Sequence, residues 1–396
     1  MENNPVISII TVNFNGLQDT LELCRSVKDQ VKSISYDLIV VDNGSKVDEA
    51  AQIKQTYPWV YVIRSEKNLG FSGGNNMGIR QAKGDFIFLL NNDTYLPDES
   101  IHNLVDTLKS NKNLAAVSPK IKFAWSPFAI QFAGFTPLSA ITLRNKTIGF
   151  GESDNGQYNQ FRQTPLLHGA AMMVKRHIIE EVGLMPELYF LYYEEIDWCT
   201  TMTEHGYILG YEPKCTVFHK ESRSTGQNSP LRSYYLTRNR LLFAWRHRSG
   251  FTKWLSIGYQ SLIAIPIHTI KFLLKGNTAN AIALLEGLTA FIDNIDSLCF
   301  FLLGTSVLYL FVFALLSHIK RKDIYPAAGK LHRFVILYPA YKEDRVIENA
   351  ISNFLEQDYP KSCYDVVVIS DQMQDDTINR LKSMPVTLME VHFQQS

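Results

Sequence analysis

Asn68-Leu-Gly-Phe-Ser-Gly-Gly-Asn-Asn-Met-Gly78, followed closely by Gly84-Asp-Phe-Ile-Phe-Leu-Leu-Asn-Asn-Asp93-Thr94, is the stretch whose reading decides the fold. Phe86–Leu90 is an apolar run without alternation, the pattern of a strand covered on both faces. It stops abruptly at Asn91, Asn92 and Asp93. A carboxylate at the C-terminal end of a buried strand is where an open α/β sheet presents groups to a ligand. The glycine- and asparagine-rich half lets backbone approach a partner closely. Its spacing predicts a helix over 73–82.

Working outward, Val6–Val12, Tyr36–Val41 and Val60–Ile63 read as further buried strands, with helices predicted over Leu17–Val31 and Val47–Tyr57. The alternation predicts an α/β fold with a mostly parallel sheet and helices on both faces. Past Asp93, a helix is predicted over Pro97–Ser110 and a strand from Leu114. Residues 123–165 lose periodicity and read as an excursion beside the site. Gly169–Gly183 reads as strand then helix, and Glu194–His205 as a helix whose acidic first turn suits the dipole. Tyr207–His219 reads as a pair of strands around Pro213.

Lys+Arg and Asp+Glu balance at 39 each, which gives no case for a nucleic-acid partner. The five cysteines are odd in number and widely spaced, so reduced thiols are expected rather than a disulfide framework or a zinc site. No basic and apolar leader precedes the first strand, and no cleavable signal peptide is expected.

From Leu255 the chain becomes apolar. Leu255–Leu274 is interrupted by His268 and Lys271, whereas Ser297–Ser317 carries no charge. About 20 apolar residues span a bilayer, so 297–317 is the better transmembrane candidate. Residues 255–274 fit either a weaker span or a helix lying on the membrane surface. Arg246, Arg248 and Lys253 on one side, and Lys320, Arg321 and Lys322 on the other, place both outer ends in the cytoplasm. The first strand pair then recurs: Phe334–Ala340 and Tyr364–Ile369 echo Val6–Val12 and Tyr36–Val41. This second copy lacks a counterpart of Asp93, and the chain is expected to be cut short. Three regions result: 1–252, 253–322 and 331–396.

Asp42, past a buried strand, suits the imide N–H of uracil or thymine, or simply a turn. Asp93 suits Mg²⁺ or Mn²⁺ beside a diphosphate, or a helix cap. Glu194, Glu195 and Asp197 crowd three carboxylates into four residues, which raises a pKa and suits a general base. They also fit a dipole-complementing first turn. His219 fits a metal ligand or a structural hydrogen bonder. The arginines from Arg223 to Arg240 suit a diphosphate or a solvated basic face.

In order, Ile9–Asn15, Val40-Val-Asp-Asn-Gly-Ser45, Asn68–Gly78, Leu90-Asn-Asn-Asp-Thr94, Glu194-Glu-Ile-Asp-Trp198, Val217-Phe-His219 and Tyr234-Tyr-Leu-Thr-Arg-Asn-Arg240 resemble the family 2 glycosyltransferases. The rhamnosyltransferase-like bacterial branch is the nearest likeness. The resemblance covers about residues 5–250 and resumes over 334–377. It implies a GT-A fold and inverting, metal-dependent transfer of rhamnose or another hexose from a dTDP-, UDP- or GDP-sugar. It implies Mg²⁺ or Mn²⁺ on Asp93 and His219, and a base at Glu195 with Asp197 as the rival. Donor binding falls to Thr11, Asn13, Asp42, Asn76, Asn92 and Arg238. Asn91 stands where the family's metal motif has its first acidic residue, and Glu195 where it usually has aspartate. The acceptor expected is a glycan or lipid-linked glycan of cell-surface polysaccharide synthesis, at the cytoplasmic side of the cell membrane. The alternative is a membrane-bound nucleotide-binding scaffold with a degenerate transferase domain.

Overall fold

The computed structural model describes residues 6–221, 229–317 and 330–391, with backbone alone along 296–303 and 315–317. They fall into two compact units, Met1–Thr305 and Ser306–Ser396.

The first unit opens with β1 (Ile7–Asn13), α1 (Leu17–Gln30), β2 (Tyr36–Asn43), α2 (Glu49–Thr56), β3 (Tyr61–Ser65), α3 (Gly70–Gln81) and β4 (Phe86–Leu90). There follow β5 (Thr94–Tyr95), α4 (His102–Ser110), β6 (Leu114–Phe123), β7 (Ile130–Phe132), β8 (Arg162–Gln163), β9 (Ala171–Lys175), α5 (Arg176–Val182), α6 (Glu194–Glu204) and β10 (Ile208–His219). These strands make one ten-stranded sheet along the path β3-β2-β1-β4-β9-β6-β10-β5, with β7 on β6 and β8 on β10. β1, β2, β3 and β4 pair in parallel, whereas β9 runs antiparallel between β4 and β6. The chain order reverses at β1 and β4, and the C-terminal ends of these two strands form the crevice where such sheets take ligands.

The sheet holds position because its core residues are apolar on both faces. Ile9, Leu38 and Phe88 pack under α1, and Ile10, Ile39 and Ile87 under α3. α3 sits unusually close to β1. A Cβ at Gly78 would stand 2.4 Å from Ile10 Cγ2, and one at Gly74 2.8 Å from Val12 Cγ1. The glycines of this stretch therefore serve helix–strand contact. α3 also begins at Gly70, a turn earlier than the spacing predicts. Tyr207–His219 is one strand, not two: a register shift between Glu212 and Thr216 accommodates Pro213 within β10.

The remaining helices are α7 (Pro230–His247), α8 (Gly250–Tyr259), α9 (Ile265–Leu274) and α10 (Thr278–Ser317), with a π-turn over Gln260–Ala264 joining α8 to α9. Among the described residues, Gly250–Leu274 is long and apolar enough to cross a membrane. α10 runs through the 297–317 segment, and from Gly304 to Ala314 its side chains are exposed.

The second unit contains β11 (Phe334–Tyr341), α11 (Ile347–Leu355), β12 (Tyr364–Asp371), α12 (Asp375–Lys382) and β13 (Thr387–Val391), an all-parallel sheet in the order β11-β12-β13. The repeat seen in the sequence extends to backbone detail. Phe334 pairs with Tyr364 as Ile7 pairs with Tyr36, and Ala340 with Ser370 as Asn13 with Asp42. Left-handed residues follow the strands at matching places, Asn15 and Gly44 in one copy, Lys342 and Gln372 in the other.

Candidate active site

A cavity of about 440 Å³ opens at the C-terminal ends of β1 and β4. Val12 and Phe14 reach it from β1, Leu90, Asn91, Asn92 and Asp93 from β4, and Ala170 from the segment leading into β9. β10 brings His219, α6 brings Glu194 and Glu195, and α7 brings Arg232. Residues far apart in sequence meet here because strand ends converge at one edge of the sheet.

Asp93 and His219 are adjacent by pairing, since Thr94 lies opposite His219 and the Lys220 N–H donates to the Asp93 carbonyl at 2.9 Å. His219 Nε2 stands 3.2 Å from Asp93 Oδ1. Its Nδ1 meets Gln131 Oε1 at 2.8 Å, so Nδ1 is the donor there and the ring is held with Nε2 toward the Asp93 carboxylate. A ligating histidine is usually held in this way, its second nitrogen donating to a fixed acceptor. Two hard or borderline donors facing one point fit a divalent cation. Among the described residues no cluster of three or more histidine, cysteine or acidic side chains is placed to hold a metal. A cation held there would take its further ligands from a bound ligand or water, as is common for Mg²⁺.

His168 is the residue that sequence reading missed. It lines the cavity with its ring 6.1 Å from that of His219. Its Nδ1 accepts the Ala170 N–H at 3.1 Å. Burial, with His219 nearby, pushes its pKa down to about 3, so it is a neutral donor through Nε2. Its only sequence signal is its place before Gly169-Ala-Ala and a buried strand.

Glu194 and Glu195 share the first turn of α6. Burial raises the pKa of both, and for Glu194 the neighbouring Glu195 carboxylate adds to it. Glu194 Oε2 is buried without a hydrogen-bond partner. Gly169 lies over Glu195, with the position of a Cβ 3.7 Å from its Cδ.

Asp197 is elsewhere. It is buried, accepts from the Tyr189 hydroxyl at 2.7 Å and Arg246 Nε at 2.8 Å, and sits 2.8 Å from His247 Nε2. Burial raises its pKa, but His247, Arg246 and Tyr189 outweigh that and the net shift is downward. It is an anchor between α6 and α7 and does not line the cavity.

Several donor-binding expectations also land away from the cavity. Thr11 is buried in the sheet with an unpartnered hydroxyl. Asn13 lies beneath the cavity floor, its amide donating to Asp42 Oδ1 at 3.2 Å and Glu49 Oε2 at 2.7 Å. Asp42 is fully buried, takes the Ser45 N–H at 3.3 Å and has Arg64 at 3.7 Å, so no face of it is open to a base. Asn76 donates to the Met185 carbonyl and to Glu187, each at 2.8 Å. Arg238 donates to the carbonyls of Leu188 and Tyr189. Asn92 does line the cavity, its amide held by Thr20 Oγ1 at 3.1 Å. Of the expected arginines, Arg232 reaches the cavity, stacked 5.6 Å from the Tyr192 ring, while Arg223 lies outside the described residues.

The loop ahead of α6 is strained. Phe190, Tyr192 and Tyr193 all have positive φ, costly for aromatic residues. Buried Asn239 holds it, its amide reaching the carbonyls of Tyr189, Leu191 and Tyr192 at 3.0, 2.7 and 2.7 Å. On the other side, the Phe71 N–H donates to the Phe190 carbonyl at 2.7 Å. That carbonyl would stand 2.2 Å from a Cβ at Gly70, so only glycine fits.

Residues 8–183 match the family described as glycosyl transferase family 2. The chain is 27% identical over 247 residues to the low-salt glycan biosynthesis hexosyltransferase Agl10 of Haloferax volcanii, covering 60% of this chain and 74% of that one. It is 24% identical over 211 residues to the N-acetylglucosaminyl-diphospho-decaprenol L-rhamnosyltransferase of Mycobacterium tuberculosis, covering 48% of this chain and 68% of that one. Among solved structures, GalNAc-T7 with UDP, GalNAc and Mn²⁺ superposes with a TM-score of 0.49 at 16% identity, over 68% of this chain and 58% of that one. The chain thus carries a family 2 glycosyltransferase domain over residues 8–183, and its hexosyltransferase and rhamnosyltransferase relatives support glycosyltransferase activity.

Proposed function

We propose that the protein moves a hexose, rhamnose being one candidate, from a nucleotide diphosphate sugar to a glycan or lipid-linked acceptor, with inversion at the anomeric carbon. The single observation carrying this is the convergence of Asp93, His219 and Glu195 on one cavity at the switch point of the sheet. The donor would lie across the ends of β1 and β4. Phe14, 40% exposed at the rim, offers a ring for the base to stack on. Arg232, beside Tyr192, faces the diphosphate.

Asp93 and His219 would hold Mg²⁺ or Mn²⁺, which when bound neutralises charge on the leaving diphosphate. His219 is kept in its ligating tautomer by Gln131. Glu195 takes the proton from the acceptor hydroxyl. Its raised pKa makes the carboxylate a stronger base than an exposed glutamate. Neutral His168 donates through Nε2 into the same space. No covalent intermediate is needed, so no nucleophilic serine or cysteine is called for. The relative from M. tuberculosis, named for a diphospho-decaprenol acceptor, supports the lipid-linked part of the reading. The apolar segment Gly250–Leu274 supports a location at the membrane, and Arg246, Arg248 and Lys253 at its start favour the cytoplasmic side.

The test is purified full-length protein with Mn²⁺ and UDP-, dTDP- and GDP-sugars. Turnover of one donor, abolished in Asp93→Ala, is the expected result. Nucleotide binding without turnover of any donor would leave a scaffold in place of an enzyme.

A further inference from the structure

The helical stretch Gly250–Leu274 is inside out. Its inward face carries polar groups: Ser256 Oγ donates to the Ile141 carbonyl at 2.8 Å, and buried Gln260 Nε2 donates to the Thr142 carbonyl at 3.0 Å. Its outward face carries Phe251, Trp254, Leu262, Ile267, Ile270 and Leu274, the last 83% exposed. A surface helix in water shows the opposite pattern. A helix tied along one side to the globular domain, and apolar on the other, suits a place in the membrane interface.

Beneath it lies a second cavity of about 160 Å³, room for about five water volumes, between α7, α9 and the start of α10. Leu236, Phe272 and Leu284 give it an apolar wall. Arg240 and His268 give it a polar one, and Arg144 stands beside it with Nη2 3.2 Å from His268 Nε2. The charged groups acting on His268 are Arg144, Lys271 and Arg240, all cations. Positive charge gathered in a half-enclosed apolar setting attracts an anion strongly, and arginine suits phosphate oxygens. The helix that lines this cavity through Ile265, His268 and Phe272 exposes Ile267, Ile270 and Leu274 within a turn.

We propose that this cavity takes the phosphate headgroup of a membrane lipid, whose chains run out along the exposed face of α9. The site stands apart from the transfer reaction and needs neither donor nor turnover. Arg144 and Arg240 bind the phosphate oxygens, His268 completes the polar wall, and Gln260 holds the helix against the domain.

The full-length protein is sedimented with phosphatidylcholine vesicles containing either phosphatidate or, at matched surface charge, oleate. Tighter binding to the phosphatidate vesicles is expected. There Arg144→Gln or Arg240→Gln loses about tenfold, more than the about fivefold from removing one ordinary surface cation, as in Lys275→Gln. On oleate vesicles the three variants fall alike. If they also fall alike on phosphatidate, the attraction is diffuse and the site does not exist. If inorganic phosphate binds without vesicles, with the same sensitivity to Arg144→Gln, the ligand is a soluble phosphate and the lipid assignment is overturned. Arg144 is exposed, so its variant reads out even where Arg240→Gln disturbs the hydrogen bond to Tyr193.

Discussion

Three carboxylates in one short helical turn have three different fates, and their surroundings decide which. If Glu195 acts as proposed, Glu195→Gln removes the base while keeping shape, and kcat should fall by about 10² to 10⁴ with donor affinity unchanged. In the parent enzyme, kcat/KM should fall as pH drops through the raised Glu195 pKa, above its ordinary value of 4.5. A pH profile checks both. Glu194 has a stability consequence of definite sign. Its folded pKa is raised, so its contribution is full below the unfolded value and is lost as pH rises through the folded one. Glu194→Gln should therefore raise Tm at neutral pH. Asp197 runs the other way: its stabilisation is present above 3.8 and disappears as pH falls through its lowered folded value. Asp197→Ala should lower stability by roughly 2–3 kcal/mol, less than a fully buried pair because Arg246 is 43% exposed. Chemical denaturation measures it. The sequence placed these residues together but left base and anchor undivided, because the division is made by Arg246 and His247 on α7, some fifty residues away.

Among elements, strands were the most legible. Buried β-branched runs announce themselves, and Phe86–Leu90 and its neighbours stand within a residue or two of where the pattern puts them. The glycines of α3 were legible as a need for closeness but not as to what comes close. Ile10 lies opposite Gly78, so Gly78→Ala should cost about 1–3 kcal/mol by overpacking, seen as a lower Tm without loss of donor affinity. Arg238 and Asn239 were visible as a motif, and charge pointed to a diphosphate. The structure instead turns both toward the carbonyls of the loop before α6. Asn239 is a positioning residue. Asn239→Ala should split its effect between kcat, because the loop leads into Glu195, and KM for the donor, because Phe190, Leu191 and Tyr192 line the cavity. Steady-state kinetics on both substrates checks the split.

For the whole molecule, every residue lining the larger cavity belongs to the first unit. A chain lacking residues 330–396 should bind nucleotide sugar with unchanged affinity, measured by titration calorimetry. The second unit repeats the opening strands and turns, with Val335, Leu337 and Met389 exposed within it. Its likeness to the first copy was plain in the sequence because strand ends and their turns are local. The cavity was less plain, because His168, Gln131 and His219 meet only once β6, β7, β9 and β10 are side by side.

Helix α7 faces two ways. Asn239 and Arg238 grip the loop that leads to Glu195, while Ser233, Leu236 and Arg240 wall the smaller cavity, three and four residues apart on the same rod. Linkage then imposes a symmetry on this enzyme. Whatever factor an occupant of the small cavity applies to donor affinity, the donor must return to that occupant. A single pair of titrations, each ligand measured with and without the other, reads that coupling from both ends, and the two numbers must agree.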